Sequence, residues 1–403
     1  MKILQIAATV NVGSTGRIAE QIGQKVIQNS GESTIAYGRY EGSSKSNKIK
    51  IGNKFEQAQH LILTRIFDKH GFGSVKGTNI FIEKIKVLNP DIIHLHNLHG
   101  YYINVQILFN YLITSKKPVI WTLHDCWAYT GHCCHYTRFE CEKWKTQCFK
   151  CPLSNYYPQS LFIDNSFVNY RLKRELFTSV EDLTLVPVSD WLANELSHSF
   201  LKSKRIYPIH NGVDTNKFQY ADPSSLIEKH QLWGKKIILG VANPWSDLKG
   251  LKDFIALSYL AEKDHQIILI GLTENQIKDL PKNIIGITKL SDPKDLAKYY
   301  SLADVFVNPS IAESFGLVTV EAMACGTPVV GYNVTATPEL VKPGTGYIVK
   351  KGDIQSLFEK ISLILKNGKL NYQENCRSNV LNFYDIEKQF DKYIKLYLEK
   401  LEK

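Results

Sequence analysis

Two carboxylates eight positions apart, Glu313 and Glu321, lie in the run Asn308 to Leu340, NPSIAESFGLVTVEAMACGTPVVGYNVTATPEL. Such a pair suits acid/base work or the acceptance of hydrogen bonds from a polar ligand. A second set of chemistry-bearing residues is histidine-rich: His94, His96 and His99 close together, then His124 followed directly by Asp125. His94 reads as a satisfied core residue, whereas His124 beside Asp125 at a strand end reads as functional. A third set is thiol. Cys133, Cys141, Cys148 and Cys151 form C-x7-C-x6-C-x2-C, and the last pair has the spacing of a thiolate metal knuckle. A reducing compartment disfavours disulfides, so a structural zinc held by these four is expected, with free thiols or a redox pair as alternatives. Cys126, Cys134, His132 and His135 are substitute ligands.

The elements that must position these groups follow from the hydrophobic pattern. Ala303 to Val307 reads as a strand, and Gly316 starts a helix whose apolar positions Leu317, Val320 and Ala324 recur at helical spacing. A ligand at such a unit sits beyond the carboxyl end of the strand. The free N–H groups of the helix start favour an anion there, a nucleotide diphosphate above all. Near the N-terminus, Lys2 to Ala8 reads as a buried strand and is followed by the loop Asn11 to Gly16, whose Gly13 and Gly16 permit close backbone approach or simply a tight turn. Ser33 to Tyr37, Asp91 to His96, Val119 to His124 and Leu183 to Val188 read as further strands. Helical patterns alternate with them, and βαβα alternation implies a parallel sheet. A second series runs through Ile237 to Val241, Leu251 to Ala261, Gln266 to Ile270 and Asn283 to Ile287 into the Asn308 run.

The fold class is therefore α/β with two Rossmann-like, doubly wound domains. Residues 1–204 make the first, with a cysteine-rich insertion at 126–158, and 205–382 make the second. A long amphipathic helix, 383–403, is expected to pack back on the N-terminal domain. At 403 residues the length suits two domains. Hydrophobic content of 44% and charged content of 22% exclude a disordered or fibrous chain. No run approaches the roughly 18 apolar residues of a spanning helix, and the start reads as a strand rather than a signal, so a cytoplasmic location is expected. A net charge of +10 suits anionic partners. Lys45, Lys48, Lys50, Lys54, Arg65 and Lys69 surround the segment Phe55 to Phe67, whose apolar Leu61, Leu63, Ile66 and Phe67 fit either an acidic membrane surface or a solvated helix packed on its own domain.

The run from Glu313 to Val330, ESFGLVTVEAMACGTPVV, resembles the signature of the group 1 family of retaining glycosyltransferases with the GT-B fold. Further matches lie in order along the chain: the loop Gly13 to Gly16, Leu123 to Asp125, Val188 to Leu192, His210 to Asp214, and Lys249-Gly250. The segment from Thr122 to Pro152 is similar to a subgroup that assembles bacterial exopolysaccharide and capsule. One feature departs from the family: the arginine that many members carry a few residues before the lysine is missing from Val241 to Leu248, leaving Lys252 as a substitute.

The resemblance implies domains that face each other across a cleft, with the donor nucleotide held mainly by the second and the acceptor by the first. Gly13, Gly16, Lys249, Glu313, Phe315, Gly316, Leu317 and Glu321 would bind the donor. Glu321 would take the ribose diol and Glu313 the donor sugar, while the N–H groups of residues 315–317 meet the diphosphate. His124, Lys249 and Glu313 would act at the reacting centre, with Lys249 neutralising the leaving diphosphate. The implied activity moves a sugar from a nucleotide-diphosphate-sugar to a glycan or polyprenyl-linked acceptor in surface polysaccharide synthesis, with no catalytic metal and no nucleic-acid partner. It would take place at the inner face of the membrane, by peripheral contact. The competing class is a non-catalytic sugar-nucleotide-binding or scaffold protein of the same fold.

Overall fold

The computed structural model describes residues 1–290 and 292–402. The chain divides into two compact units, one built from Met1–Ile209 with the segment from Phe390 onward, the other from His210–Gln389. Each is a parallel α/β sheet, as the alternating pattern requires.

In the N-terminal unit the strands are β1 (Lys2–Ala7), β2 (Glu32–Tyr37), β3 (Asn47–Lys50), β4 (Ile92–Leu95), β5 (Val119–Leu123), β6 (Leu183–Pro187) and β7 (Arg205–Ile206). Their order is β3-β2-β1-β4-β5-β6-β7. The central strands are buried on both faces, Ile3, Ile6, Ile92, Ile93, Val119 and Ile120 being fully shielded, because crossover helices cover both sides of a parallel sheet. β3 escapes a reading by pattern. Its four residues, Asn-Lys-Ile-Lys, are mostly exposed and end the sheet with lysines that discourage further pairing. β7 has only two residues.

The C-terminal unit contains β8 (Lys236–Val241), β9 (His265–Ile270), β10 (Ile284–Ile287), β11 (Val305–Asn308), β12 (Val329–Tyr332) and β13 (Gly346–Val349), in the order β10-β9-β8-β11-β12-β13. Chain direction across the sheet reverses between β8 and β11, and likewise between β1 and β4 in the first unit. Loops at the carboxyl ends of such strand pairs are where ligands bind in open α/β sheets.

The expected helix at 383–403 is corrected at its start. Phe383 closes the helix Leu370–Phe383, and the last helix runs over Ile386–Leu401; Lys403 lies outside the described residues. The break is local chemistry: Asp385 accepts the N–H of Glu387 at 3.1 Å through its side chain, which starts a new helix. From Phe390 onward this helix belongs to the N-terminal unit. Tyr397 Oη lies 2.6 Å from His94 Nδ1, and Tyr393 Oη lies 3.0 Å from Thr122 Oγ1. Among the described residues no helix is long and apolar enough to cross a membrane.

Candidate functional site

In the C-terminal unit, the two strands flanking the reversal deliver the two residues singled out for the leaving group and the sugar. Lys249 follows β8 and Glu313 follows β11. Lys249 Nζ lies 2.6 Å from Glu313 Oε1, with the lysine side chain 31% exposed and the carboxylate 11% exposed. Backbone ties hold the two loops together: Ile311 N–H and Ser310 Oγ both donate to the Leu248 carbonyl, at 2.9 and 3.0 Å. Glu313 N–H donates to Thr335 Oγ1 at 3.0 Å, and its carbonyl accepts from Ala336 at 3.2 Å.

Three residues on, Gly316 takes φ +102°, a conformation that strains any side-chain-bearing residue. The helix Leu317–Ala324 starts there with no side-chain cap, so no side chain takes up its first N–H groups, an arrangement that suits an anion. Phe315 is buried under this start, 5.7 Å from the Tyr384 ring. Glu321 lies on the same helix and accepts the Tyr300 hydroxyl at 2.9 Å. Burial, then the Glu321 charge, holds the Tyr300 phenol well above its ordinary pKa, which keeps it a donor. Lys252 is exposed on the helix Leu251–Leu260. No hydrogen bond or ion pair among the described residues joins it to Lys249 or Glu313.

The N-terminal unit treats its histidines differently. His94 is a satisfied core residue, with Nδ1 on Tyr397 and Nε2 2.7 Å from Thr122 Oγ1. His124 Nε2 lies 3.2 Å from His96 Nδ1, and His96 Nε2 lies 3.0 Å from Gln5 Oε1. Burial lowers the His124 pKa to about 4, so this ring is neutral at pH 7. Asp125 turns instead to His99, whose Nε2 is 2.6 Å away and whose Nδ1 lies 3.1 Å from Tyr157 Oη. Burial pushes the Asp125 carboxyl up, but the His99 charge and hydrogen bond, helped by the Trp127 N–H, outweigh it and bring the pKa to about 2. Gly13 starts the helix Gly13–Gln28 with open space where a side chain would stand. Gly16 is accounted for by packing, since a Cβ there would lie 2.4 Å from Thr9 Oγ1.

Cys133, Cys141, Cys148 and Cys151 line one small cavity, of about 10 Å³, together with His132. Cys126 and Cys134 lie elsewhere; Cys134 joins His99 and Asp125 in a separate group of close ligand atoms. All eight cysteines are free thiols.

Sequence reasoning did not single out Tyr300, Thr335, Asp68 or Tyr157. Each acts on a partner distant in the chain, and none carries a local motif.

A family model for group 1 glycosyl transferases matches residues 225–382, and one for glycosyltransferase family 4 matches residues 52–217. The putative colanic acid biosynthesis glycosyl transferase WcaC of Escherichia coli K12 is 24% identical over 383 residues, spanning 89% of this chain and 90% of the relative. Sucrose-phosphate synthase from Thermosynechococcus elongatus shares the fold with a TM-score of 0.71 at 16% identity, over 98% of each chain. HepE of Anabaena, solved in complex with UDP, does so with a TM-score of 0.69 at 15% identity, over 99% of this chain and all of its own. Residues 225–382 therefore carry a group 1 glycosyl transferase domain and residues 52–217 a glycosyltransferase family 4 domain, on two parallel α/β units of GT-B type.

Proposed function

We propose that the protein is a retaining glycosyltransferase that moves a sugar from a nucleotide-diphosphate-sugar onto a glycan or polyprenyl-linked acceptor during surface polysaccharide assembly. The observation that carries this reading is the Lys249–Glu313 pair at 2.6 Å beside an uncapped helix start. A cation, a carboxylate and uncapped N–H groups then serve three parts of one donor. Lys249 exchanges Glu313 for the diphosphate, Glu313 turns to the sugar hydroxyls, and the helix start takes phosphate oxygen. Glu321, oriented by Tyr300, accepts from the ribose diol.

In the transfer step the acceptor oxygen forms a bond to the anomeric carbon on the face that the leaving group departs. The bond from that carbon to the phosphate oxygen breaks, and the acceptor proton passes to the phosphate. Negative charge grows on the diphosphate as it leaves, so Lys249 stabilises the transition state more than the ground state. With cation and N–H groups supplied by the chain, transfer is expected without a divalent metal. Polysaccharide assembly is supported by the relative named for colanic acid biosynthesis, and a uridine nucleotide by the fold neighbour solved with UDP.

Peripheral attachment to the inner face of an acidic membrane belongs to the same proposal. In the helix Lys54–Phe67 the fully buried positions are polar, His60 and Thr64, while Phe55, Ile62 and Phe67 are exposed. Apolar side chains turned outward beside lysines suit a lipid surface. Flotation with anionic vesicles, and none with neutral ones, is the expected result.

Radiolabelled nucleotide sugars incubated with the enzyme and membrane extract test the main reading. Transfer with retained anomeric configuration supports it. Donor binding without transfer or hydrolysis would point instead to the non-catalytic scaffold.

A further inference from the structure

We propose that Cys133, Cys141, Cys148 and Cys151 hold one Zn²⁺ as a four-sulfur structural centre, with Lys173 as its built-in countercharge. The proposal concerns residues outside the donor site and stands apart from the transferase reading.

The four sulfurs belong to a segment with little structure of its own. Between Thr130 and Asn165 the regular structure is a single 3-10 turn, Lys143–Lys145. Several of its apolar side chains, Phe139, Phe149, Leu161 and Phe162, are exposed. A connection longer than about 15 residues without a core is uncommon unless something else fastens it. In this segment the fastening points converge on one place. The cavity lined by the four cysteines has a volume of about 10 Å³, room for one monatomic guest.

The backbone is arranged to favour thiolate there. Gly131 N–H points at Cys148 Sγ from 3.2 Å. Backbone N–H groups aimed at sulfur stabilise its anionic, metal-ligating form. No three of these sulfurs lie within 4.8 Å of one another, whereas tetrahedral ligation at about 2.3 Å requires separations of about 3.8 Å. Cys141, Cys148 and Cys151 are only partly buried, so side-chain rotation can close that difference.

One buried cation beside the cavity lacks an adjacent anion. Lys173 is 1% exposed, and its Nζ donates to the carbonyls of Trp127 and Thr130 at 2.8 and 3.1 Å. No carboxylate forms an ion pair with it among the described residues. A buried ammonium is costly without a countercharge, and zinc with four thiolates carries two net negative charges. His132 lies on the cavity wall with Nδ1 2.5 Å from Asp68 Oδ1, while its buried Nε2 has no hydrogen-bond partner. Four sulfurs line the cavity and His132 Nδ1 is already taken by Asp68, so the ligand set assigned to the metal is the four cysteines. His132 is then a wall residue of the cavity, held by Asp68.

Elemental analysis of the purified full chain is expected to find about one zinc per molecule. Its cobalt-substituted form should show the absorption of a tetrahedral four-thiolate site. Cys148→Ser and Cys151→Ser should each lose the metal at least tenfold, while Cys134→Ser, from the His99–Asp125 group, keeps it. If those variants do not fold, stepwise titration of wild-type thiols with an organomercurial should release the zinc as four thiols react. Metal-free protein with all thiols reactive would overturn the proposal. So would zinc lost in Cys134→Ser but kept in Cys148→Ser, or a cobalt spectrum of three sulfurs and one nitrogen. Metal content is read without any transferase assay, so failure here leaves the donor-site reading separately testable.

Discussion

The two units share a parallel sheet with a reversal near its middle, yet they use ionisable side chains in opposite ways. In the C-terminal unit Lys249 and Glu313 meet at a partly open surface, each the other's partner. In the N-terminal unit His60, His94 and His96 are fully buried, and their nitrogens are taken up by Ser74, Gly71, Tyr397, Thr122 and Gln5. One unit keeps its charges exchangeable. The other uses neutral imidazoles as internal struts, which only work while they stay neutral.

Acid should therefore separate the units. Burial lowers the pKa of His60 to about 4, of His94 to about 3 and of His124 to about 4, against about 6.5 when unfolded. Below pH 6.5 the unfolded chain takes up protons that the folded unit refuses, so stability falls as pH drops, and the loss is complete below about 4 for His60 and His124 and below about 3 for His94. The expected loss is on the order of 3 kcal/mol for each deeply buried histidine. Urea unfolding followed by the buried Trp121, Trp127 and Trp144 from pH 7.5 to 4.5 measures it. A flat profile would break the contrast between struts and exchangeable charges.

Lys249→Ala tests the other side. With the group that meets growing charge on the diphosphate removed, kcat should fall roughly 100- to 1000-fold, while donor affinity changes little. Single-turnover kinetics with a parallel donor titration distinguish this from a plain binding role, in which the affinity would carry the loss.

The contrast also explains how much was legible before the structure. The parallel α/β class and most strands follow local patterns, whereas Lys249 and Glu313 are singled out together through the family resemblance; the structure brings them within 2.6 Å in two loops after adjacent strands. The N-terminal unit hides its logic in distant pairs. Asp68 and His132 are 64 residues apart, His99 and Tyr157 are 58 apart, and His94 and Tyr397 are 303 apart. No periodicity announces such partners. The edge strand Asn47–Lys50 was obscured by its own lysines, which looked like surface charge. Thr335, at φ +48°, supports Glu313 from an unusual backbone conformation that its residue type does not suggest.

Glu321→Ala should raise the donor Kd about 10- to 100-fold, the worth of hydrogen bonds to a charged group, with kcat at saturating donor nearly unchanged. Unchanged donor affinity would remove Glu321 from the nucleotide site.

The smallest expected effect tests whether the C-terminal site also contains a strut. Tyr300 is fully buried and gives its hydroxyl to Glu321 at 2.9 Å. Tyr300→Phe keeps the ring and its packing against Phe306 but removes the donor. If Tyr300 only aims the carboxylate, donor Kd should rise about threefold to tenfold, the cost of one hydrogen bond to a charged acceptor in a partly open setting. In a Glu321→Ala background the same change should then have no further effect on affinity, because the two act through one carboxylate. Additive losses in that double-mutant cycle would mean that Tyr300 supports the nucleotide site through the fold, and that the C-terminal unit relies on internal struts as the N-terminal one does.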